Sequence, residues 1–279
     1  MARHFAIGGL GERAVAWLAD PAAVEVAVPR AASTVMLVRD DESGCGVEVF
    51  MLRRVASMAF APRSWVFPGG GVDLRDDDPG MPWAGPAPEE WATWLGTDTG
   101  MARALVAAAV REVFEECGVL LAGQTADTVV ADLRAPEWDD ERRRLLSREQ
   151  SLAELLGRRG LVLRSDLLSV QRRWVTPEFE PRRYDTWFFA ALLPEGQIPD
   201  DETTESDVSQ WTVPTRLLDD WAAGRALLLP PTQVALESVA EAESAATFIA
   251  TLPPVLPVPQ IVPQLMTVDG VPELRVDLL

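Results

Sequence analysis

The stretch Arg111-Glu112-Val113-Phe114-Glu115-Glu116-Cys117-Gly118-Val119 puts three carboxylates on one helical stripe and closes it with a glycine. Glu112, Glu115 and Glu116 stand at i, i+3 and i+4, so their side chains project from one face. Like charges so placed repel by roughly 0.2–0.5 kcal/mol per pair on an exposed helix, and the spacing therefore points to a cation above them. Upstream, Ala102, Leu105, Val106, Ala109, Val110, Val113 and Phe114 recur at helical spacing. They predict a helix from about Gly100 to Cys117, capped by Thr97, Asp98 or Thr99 and stopped by Gly118. The bland reading of such an acidic run is a solvated face. Against it stand the apolar Val113 and Phe114 among the acids, and the run Gly69-Gly70-Gly71 upstream, where backbone can approach a ligand closely.

Outward from this helix, Ser33 to Arg39 and Val47 to Arg54 read as a β-hairpin across Asp40, Asp41, Ser43, Gly44 and Gly46. Trp65-Val66-Phe67 leads into Pro68 and the glycines. Residues 73–99 change to Asp, Pro, Gly and Trp and read as an insertion with a short helix around Glu89 to Leu95; Trp83, Trp91 and Trp94 read as packing anchors. Residues 125–160 read as a charged, helical insertion whose Arg142, Arg143, Arg144 and Arg148 form a solvated face. Strands are expected at Ser169 to Val175, Tyr184 to Leu193 and Val208 to Val213, and helices at Pro214 to Ala223 and Thr232 to Ala250. The Pro-rich tail, residues 251–279, is expected to be extended along the surface. The pattern predicts an α/β fold, a mixed sheet between helices, with an N-terminal extension over residues 1–29 and the main domain over 30–250.

Composition removes whole classes of mechanism. The 279 residues contain no lysine and one histidine, His4, in a terminus expected to fray. A Walker-type phosphate loop, a Schiff-base lysine and a Ser-His-Asp triad lack their parts. The two cysteines, Cys45 and Cys117, make neither a zinc site nor a disulfide framework, which suits a reduced, cytoplasmic setting. A metal site has to be built from oxygen, which means Mg²⁺, Mn²⁺ or Ca²⁺. The net charge of −18 opposes general binding of nucleic acid or anionic membrane. The sequence shows neither a membrane-spanning apolar run nor the order of a signal peptide.

The glycine run ahead of Arg111 to Val119 resembles the Nudix hydrolase signature, a glycine-rich turn leading into a helix with Arg-Glu-apolar-x-Glu-Glu-x-Gly-apolar. The resemblance implies a Nudix-type α/β/α sandwich in which helix carboxylates hold Mg²⁺ or Mn²⁺ across a substrate pyrophosphate while water attacks phosphorus. It further implies that Glu115 and Glu116 are the principal ligands, with the Gly69 carbonyl and a loop carboxylate, Glu205 in preference to Glu202, completing the site. Glu112 would bind metal or take the proton from the attacking water, and Arg111 would orient the carboxylates. The signature's earlier glutamate is missing: eight residues before Arg111 stands Arg103, so Asp73 or Glu90 is a candidate to replace it.

An insertion at this place, with Trp174-Val175-Thr176-Pro177, Arg183-Tyr184-Asp185-Thr186-Trp187-Phe188-Phe189 and Leu229-Pro230-Pro231-Thr232, resembles the branch that includes the mammalian peroxisomal coenzyme A diphosphatase. That branch implies cleavage of coenzyme A or acyl-CoA to 3′,5′-ADP and a phosphopantetheine. Other Nudix substrates (ADP-ribose, NADH, nucleotide sugars, dinucleoside polyphosphates) and a non-catalytic nucleotide-binding regulator are the alternatives. Arg53, Arg54, Arg63 and Arg183, with Arg182, are the candidates for substrate phosphates. The tail offers a way for two copies to form a homodimer.

Overall fold

The computed structural model describes residues 2–6, 11–41, 46–57, 61–200, 206–251, 253 and 255–278. Strand β1 (Ala2–Ala6) and helix α1 (Glu12–Ala19) precede the long strands β2 (Arg30–Asp40) and β3 (Val47–Arg54). These pair antiparallel through Val38 and Val49 and then splay apart. Into the gap run two short strands, β4 (Trp65–Val66) on β3 and β5 (Gly69–Gly71) on β2. β6 (Trp83–Ala84), α2 (Pro88–Leu95) and α3 (Thr99–Cys117) follow. Asp98 caps α3 by accepting from the Met101 amide at 2.9 Å, and Gly118 ends it in the left-handed conformation at φ 68°.

Next come β7 (Ala122–Gly123), α4 (Pro136–Leu146), α5 (Leu152–Arg159) and β8 (Val162–Arg164), then β9 (Leu168–Val175), β10 (Tyr184–Leu192) and β11 (Ser206–Thr212). The main sheet runs in the order β11-β3-β2-β10-β9-β12, where β12 is Gln260–Ile261; β2 and β10 pair parallel. The remaining helices are α6 (Pro214–Ala222), α7 (Pro230–Ala240) and α8 (Ala245–Ala250).

Both faces of this sheet are covered, so β2 reads as a continuous apolar run rather than an alternating one. Val35, Leu37, Phe50, Leu52 and Phe189 pack beneath α2, α3 and α5. Met36, Val38, Val49, Met51 and Phe188 point the other way, into a second core with α6, α7 and α8. Trp91, 1% exposed, stands edge-on to Trp94 and Phe189, and the Trp83 indole donates to Pro86 O, which is packing in each case.

Several expectations are corrected. The helix expected over Thr232 to Ala250 is two, because the Ser244 hydroxyl accepts from the Thr247 amide and starts α8 afresh. The charged stretch 125–160 becomes helical only from Pro136 and breaks before the Ser151–Glu154 capping box. Arg142 within it is buried, at 5% exposure, not solvated. The tail does more than lie along the surface: β13 (Gln264–Val268) and β14 (Val271–Asp277) form a hairpin across Asp269 and Gly270, and β14 also pairs with β1. His4 therefore sits in a strand, with its Nδ1 3.0 Å from the Glu273 carboxylate, and not in a frayed end.

Candidate active site

The glycine turn and α3 make the site together. Pro68 O accepts from the Val35 amide at 2.8 Å and from the Thr34 hydroxyl at 2.8 Å, fixing the turn to β2. A side chain at Gly69 would place its Cβ 2.4 Å from Ser33 O, a backbone atom. One at Gly70 would lie 2.5 Å from Glu112 Oε1. The turn is thus glycine because the sheet and the acidic helix both press against it. Gly69 N donates to Glu116 Oε2 at 2.8 Å.

Arg111 organises the rest. Its Nε and Nη2 meet both oxygens of Asp76 at 2.9 Å each, and Nη2 also donates to Gly71 O at 3.0 Å. Nη1 donates to Glu112 Oε1 at 2.7 Å and to Glu115 Oε2 at 3.0 Å. One guanidinium therefore spans the turn, the start of the 73–99 segment and two helix carboxylates. Asp76, 2% exposed, fills the place for which Asp73 and Glu90 were the sequence candidates. Asp73 instead pairs with Arg75, and Glu90 accepts from the Ala87 amide at the start of α2. A forward count from the glycines was the available signal, since Asp76 follows Gly71 by five residues, whereas the backward count from Arg111 crosses the intervening segment.

The electrostatics are unbalanced. Asp76, Glu112, Glu115 and Glu116 are all buried, and Arg111 is the cation at their centre. Burial pushes the Glu112 carboxyl up from 4.5 to about 7, against the pull of Arg111 and with the help of Glu115. Burial likewise raises Glu115, again opposed by Arg111. Burial alone would lower Arg111, yet its bonds to Asp76 and the charges of Glu112 and Glu115 hold it well above its ordinary value. Among the described residues, no three His, Cys, Asp or Glu side chains converge as a preformed metal cage. The donor set nevertheless fits a hard divalent cation: oxygen atoms only, buried, and in excess of the available positive charge.

Sequence reasoning missed a second brace. Arg142 on α4 donates from Nε to Glu115 O at 2.8 Å and from Nη1 to Asp200 Oδ1 at 2.7 Å. The Asp200 amide donates to Cys117 O at 3.0 Å. Two of the carbonyls that the end of α3 leaves without helical partners are satisfied in this way.

The arginine candidates scatter. Arg53 is paired with Asp207 at 2.7 Å. Arg54, two residues beyond Leu52 and so on the α3 side of β3, has a buried Nε with no hydrogen-bond partner among the described residues. Arg63 stands at φ 61°, its amide donating to Arg54 O. Arg182 is exposed. Arg183 is buried and donates to the Thr176 and Ala27 carbonyls, which fastens the entry to β10. Glu205 and Glu202 lie outside the described residues.

The family model of the NUDT19 Nudix domain matches residues 95–238, more than half of the chain. The chain belongs to the Nudix family. The matched stretch carries α3 with all three glutamates and begins after the glycine turn. The Nudix chain numbered 7 in Caenorhabditis elegans is 28% identical over 183 residues, 66% of this chain and 52% of that one. Acyl-coenzyme A diphosphatase NUDT19 of Gallus gallus is 28% identical over 227 residues, 67% of this chain and 59% of the relative. The chain thus spans between half and three fifths of these curated relatives. A Nudix hydrolase structure from Alicyclobacillus acidocaldarius superposes with a TM-score of 0.69 at 27% identity, over 82% of this chain and 99% of that one.

A substitution separates this site's function from its packing. In Gly70→Ala the nearest atoms to the new methyl are those of the Glu112 carboxylate, which must turn away from its bond to Arg111. Stability should fall by no more than about 1–3 kcal/mol, the cost of disturbing one buried hydrogen bond, while any activity that needs Glu112 falls roughly 10- to 100-fold, the scale of a displaced supporting group. Thermal unfolding and turnover measured on one preparation check this, and a chain that no longer folds, or one whose turnover is unchanged, would refute it.

Proposed function

We propose that this Nudix chain hydrolyses the pyrophosphate bond of a nucleoside diphosphate derivative with Mg²⁺ or Mn²⁺, and that the substrate is coenzyme A or an acyl-CoA. The observation that carries the reaction is the buried set Glu112, Glu115 and Glu116, locked by Arg111 to Asp76 beneath the glycine turn. When bound there, the cation neutralises the diphosphate and lowers the barrier to attack by water. Glu115 and Glu116, with the Gly69 carbonyl and Glu205, are the proposed ligands. Arg111 holds Glu112 and Glu115 in place, and the Gly69 amide holds Glu116. Glu112, held by Arg111 beside Glu115, is the residue that would bind metal or take the proton from the attacking water. The Arg54 guanidinium, whose Nε has no partner among the described residues, is the preferred arginine candidate for a substrate phosphate.

The coenzyme A assignment is supported by the 28% identity to the Gallus gallus acyl-CoA diphosphatase over two thirds of this chain. The test is hydrolysis of coenzyme A, acetyl-CoA, ADP-ribose, NADH and a nucleotide sugar with each metal, with products separated by chromatography. Release of 3′,5′-ADP from coenzyme A supports the reading. AMP or UMP from another member of the panel overturns the substrate and keeps the reaction. Tight binding without turnover of any member overturns the reaction.

A further inference from the structure

At the β9–β12 edge of the main sheet, a cavity of about 550 Å³ lies among β9, the end of α7, α8 and the chain leading into β12. Its volume falls within the range of about 300–1,000 Å³ typical of small-molecule sites. Phe248, Val258 and Ile261, each under 10% exposed, supply apolar wall. Into the same wall β9 sets Arg172, which donates from Nη2 to the Ser238 hydroxyl at 3.1 Å.

That arginine is unusual in its surroundings. Arg172 is half-buried, and long cationic side chains drawn partly out of water are usually paired with a carboxylate; Arg173 next to it obeys the rule, with Asp185 at 2.7 Å. Arg172 points to the other face and, among the described residues, has a hydroxyl as its hydrogen-bond partner and no salt bridge. Glu237, whose charge it feels, is committed to Arg3 and Gln233. Burial lowers the Arg172 guanidinium from its ordinary value, with Glu237 and Glu241 pulling the other way. A guanidinium always carries its charge and offers paired donors that match a carboxylate.

We propose that this cavity binds a small amphipathic monoanion, a carboxylate on a short aliphatic body, with Arg172 and Ser238 holding the head and Phe248, Val258 and Ile261 holding the body. The exposed Glu241 and Glu243 at its rim select against dianions such as phosphate. A cation would have to approach the half-buried guanidinium of Arg172. The site is separate from the α3 carboxylates and does not rest on the proposed reaction.

The test is calorimetric titration of the full chain with sodium octanoate, octylammonium chloride and inorganic phosphate. Octanoate should bind saturably and at least about tenfold tighter than either other probe, a gap worth about 1.4 kcal/mol. Arg172→Gln should remove at least tenfold of the octanoate affinity without lowering the melting temperature, since no ion pair is broken. Ala242→Phe, which fills the cavity and keeps the arginine, should weaken octanoate to the same degree and guards against misfolding of the first variant. Glu112→Gln should bind octanoate as the unaltered chain does. No saturation with octanoate up to millimolar concentration, equal binding of octylammonium, or unchanged octanoate affinity in both cavity variants would overturn the site.

Discussion

Glu116→Gln is expected to lower turnover on the order of 10³-fold, about 4 kcal/mol of transition-state stabilisation, while leaving the fold in place. The amide keeps the shape of the side chain and an oxygen to accept from Gly69 N, which Glu116 now does at 2.8 Å. What it loses is the negative charge that a hard cation requires. Glu115→Gln should behave alike, because its Oε2 can still accept from Arg111. Replacing a buried carboxylate whose pKa burial has raised removes a desolvation cost, so Glu115→Gln should melt no lower than the unaltered chain. Circular dichroism, melting temperature and product release would be followed together. Normal turnover in both variants would remove these residues from the site, and unfolding in both would make them structural.

Arg111→Ala carries the largest effect on stability. Its removal strands Asp76, which is 2% exposed and receives two of the guanidinium's bonds, and it leaves Glu112 and Glu115 without their shared cation. Breaking one side of a buried ion pair costs about 3–5 kcal/mol, which corresponds to a fall in melting temperature of roughly 6–20 °C for a chain of this class. Activity should vanish with it. The double variant Arg111→Met, Asp76→Leu should recover part of the stability, since the stranded aspartate is gone, and none of the activity, since nothing then orients Glu112 and Glu115. Unfolding curves of the single and double variants test this. An Arg111→Ala chain that melts within 2 °C of the unaltered one would contradict the central role given to Arg111.

The sequence made α3 legible because every signal for it is local: an apolar period, an Asp98 cap, a Gly118 stop and carboxylates one turn apart. The long strands of the main sheet were legible for the same reason, and their boundaries in the structure differ from expectation by a few residues at most. Asp76 was not, because its importance lies in a bond to Arg111, 35 residues away, that only the folded chain displays. Arg142 was misread as solvated because a run of charges looks alike whether it faces water or the carbonyl of Glu115. Arg183 carried a plausible charge, yet the fold spends it on two backbone carbonyls. The tail's prolines hid the Asp269-Gly270 turn signal, and with it the hairpin that completes the small sheet with β1.

The most direct measurement is calorimetric titration of the chain with Mn²⁺ at pH 6 and pH 8. Burial raises Glu112 from 4.5 to about 7, so between those values the folded, metal-free chain keeps a proton that the unfolded chain releases. That contribution to stability is present at low pH and is lost as pH rises through about 7. A cation on Glu115 and Glu116 favours the ionised form of the adjacent Glu112, so metal affinity should rise across the same window, with proton release at pH 6. The account predicts saturable binding, at least about tenfold tighter at pH 8 than at pH 6, and lost in Glu116→Gln. Affinity indifferent to pH, or unchanged in Glu116→Gln, would contradict a metal site built on α3.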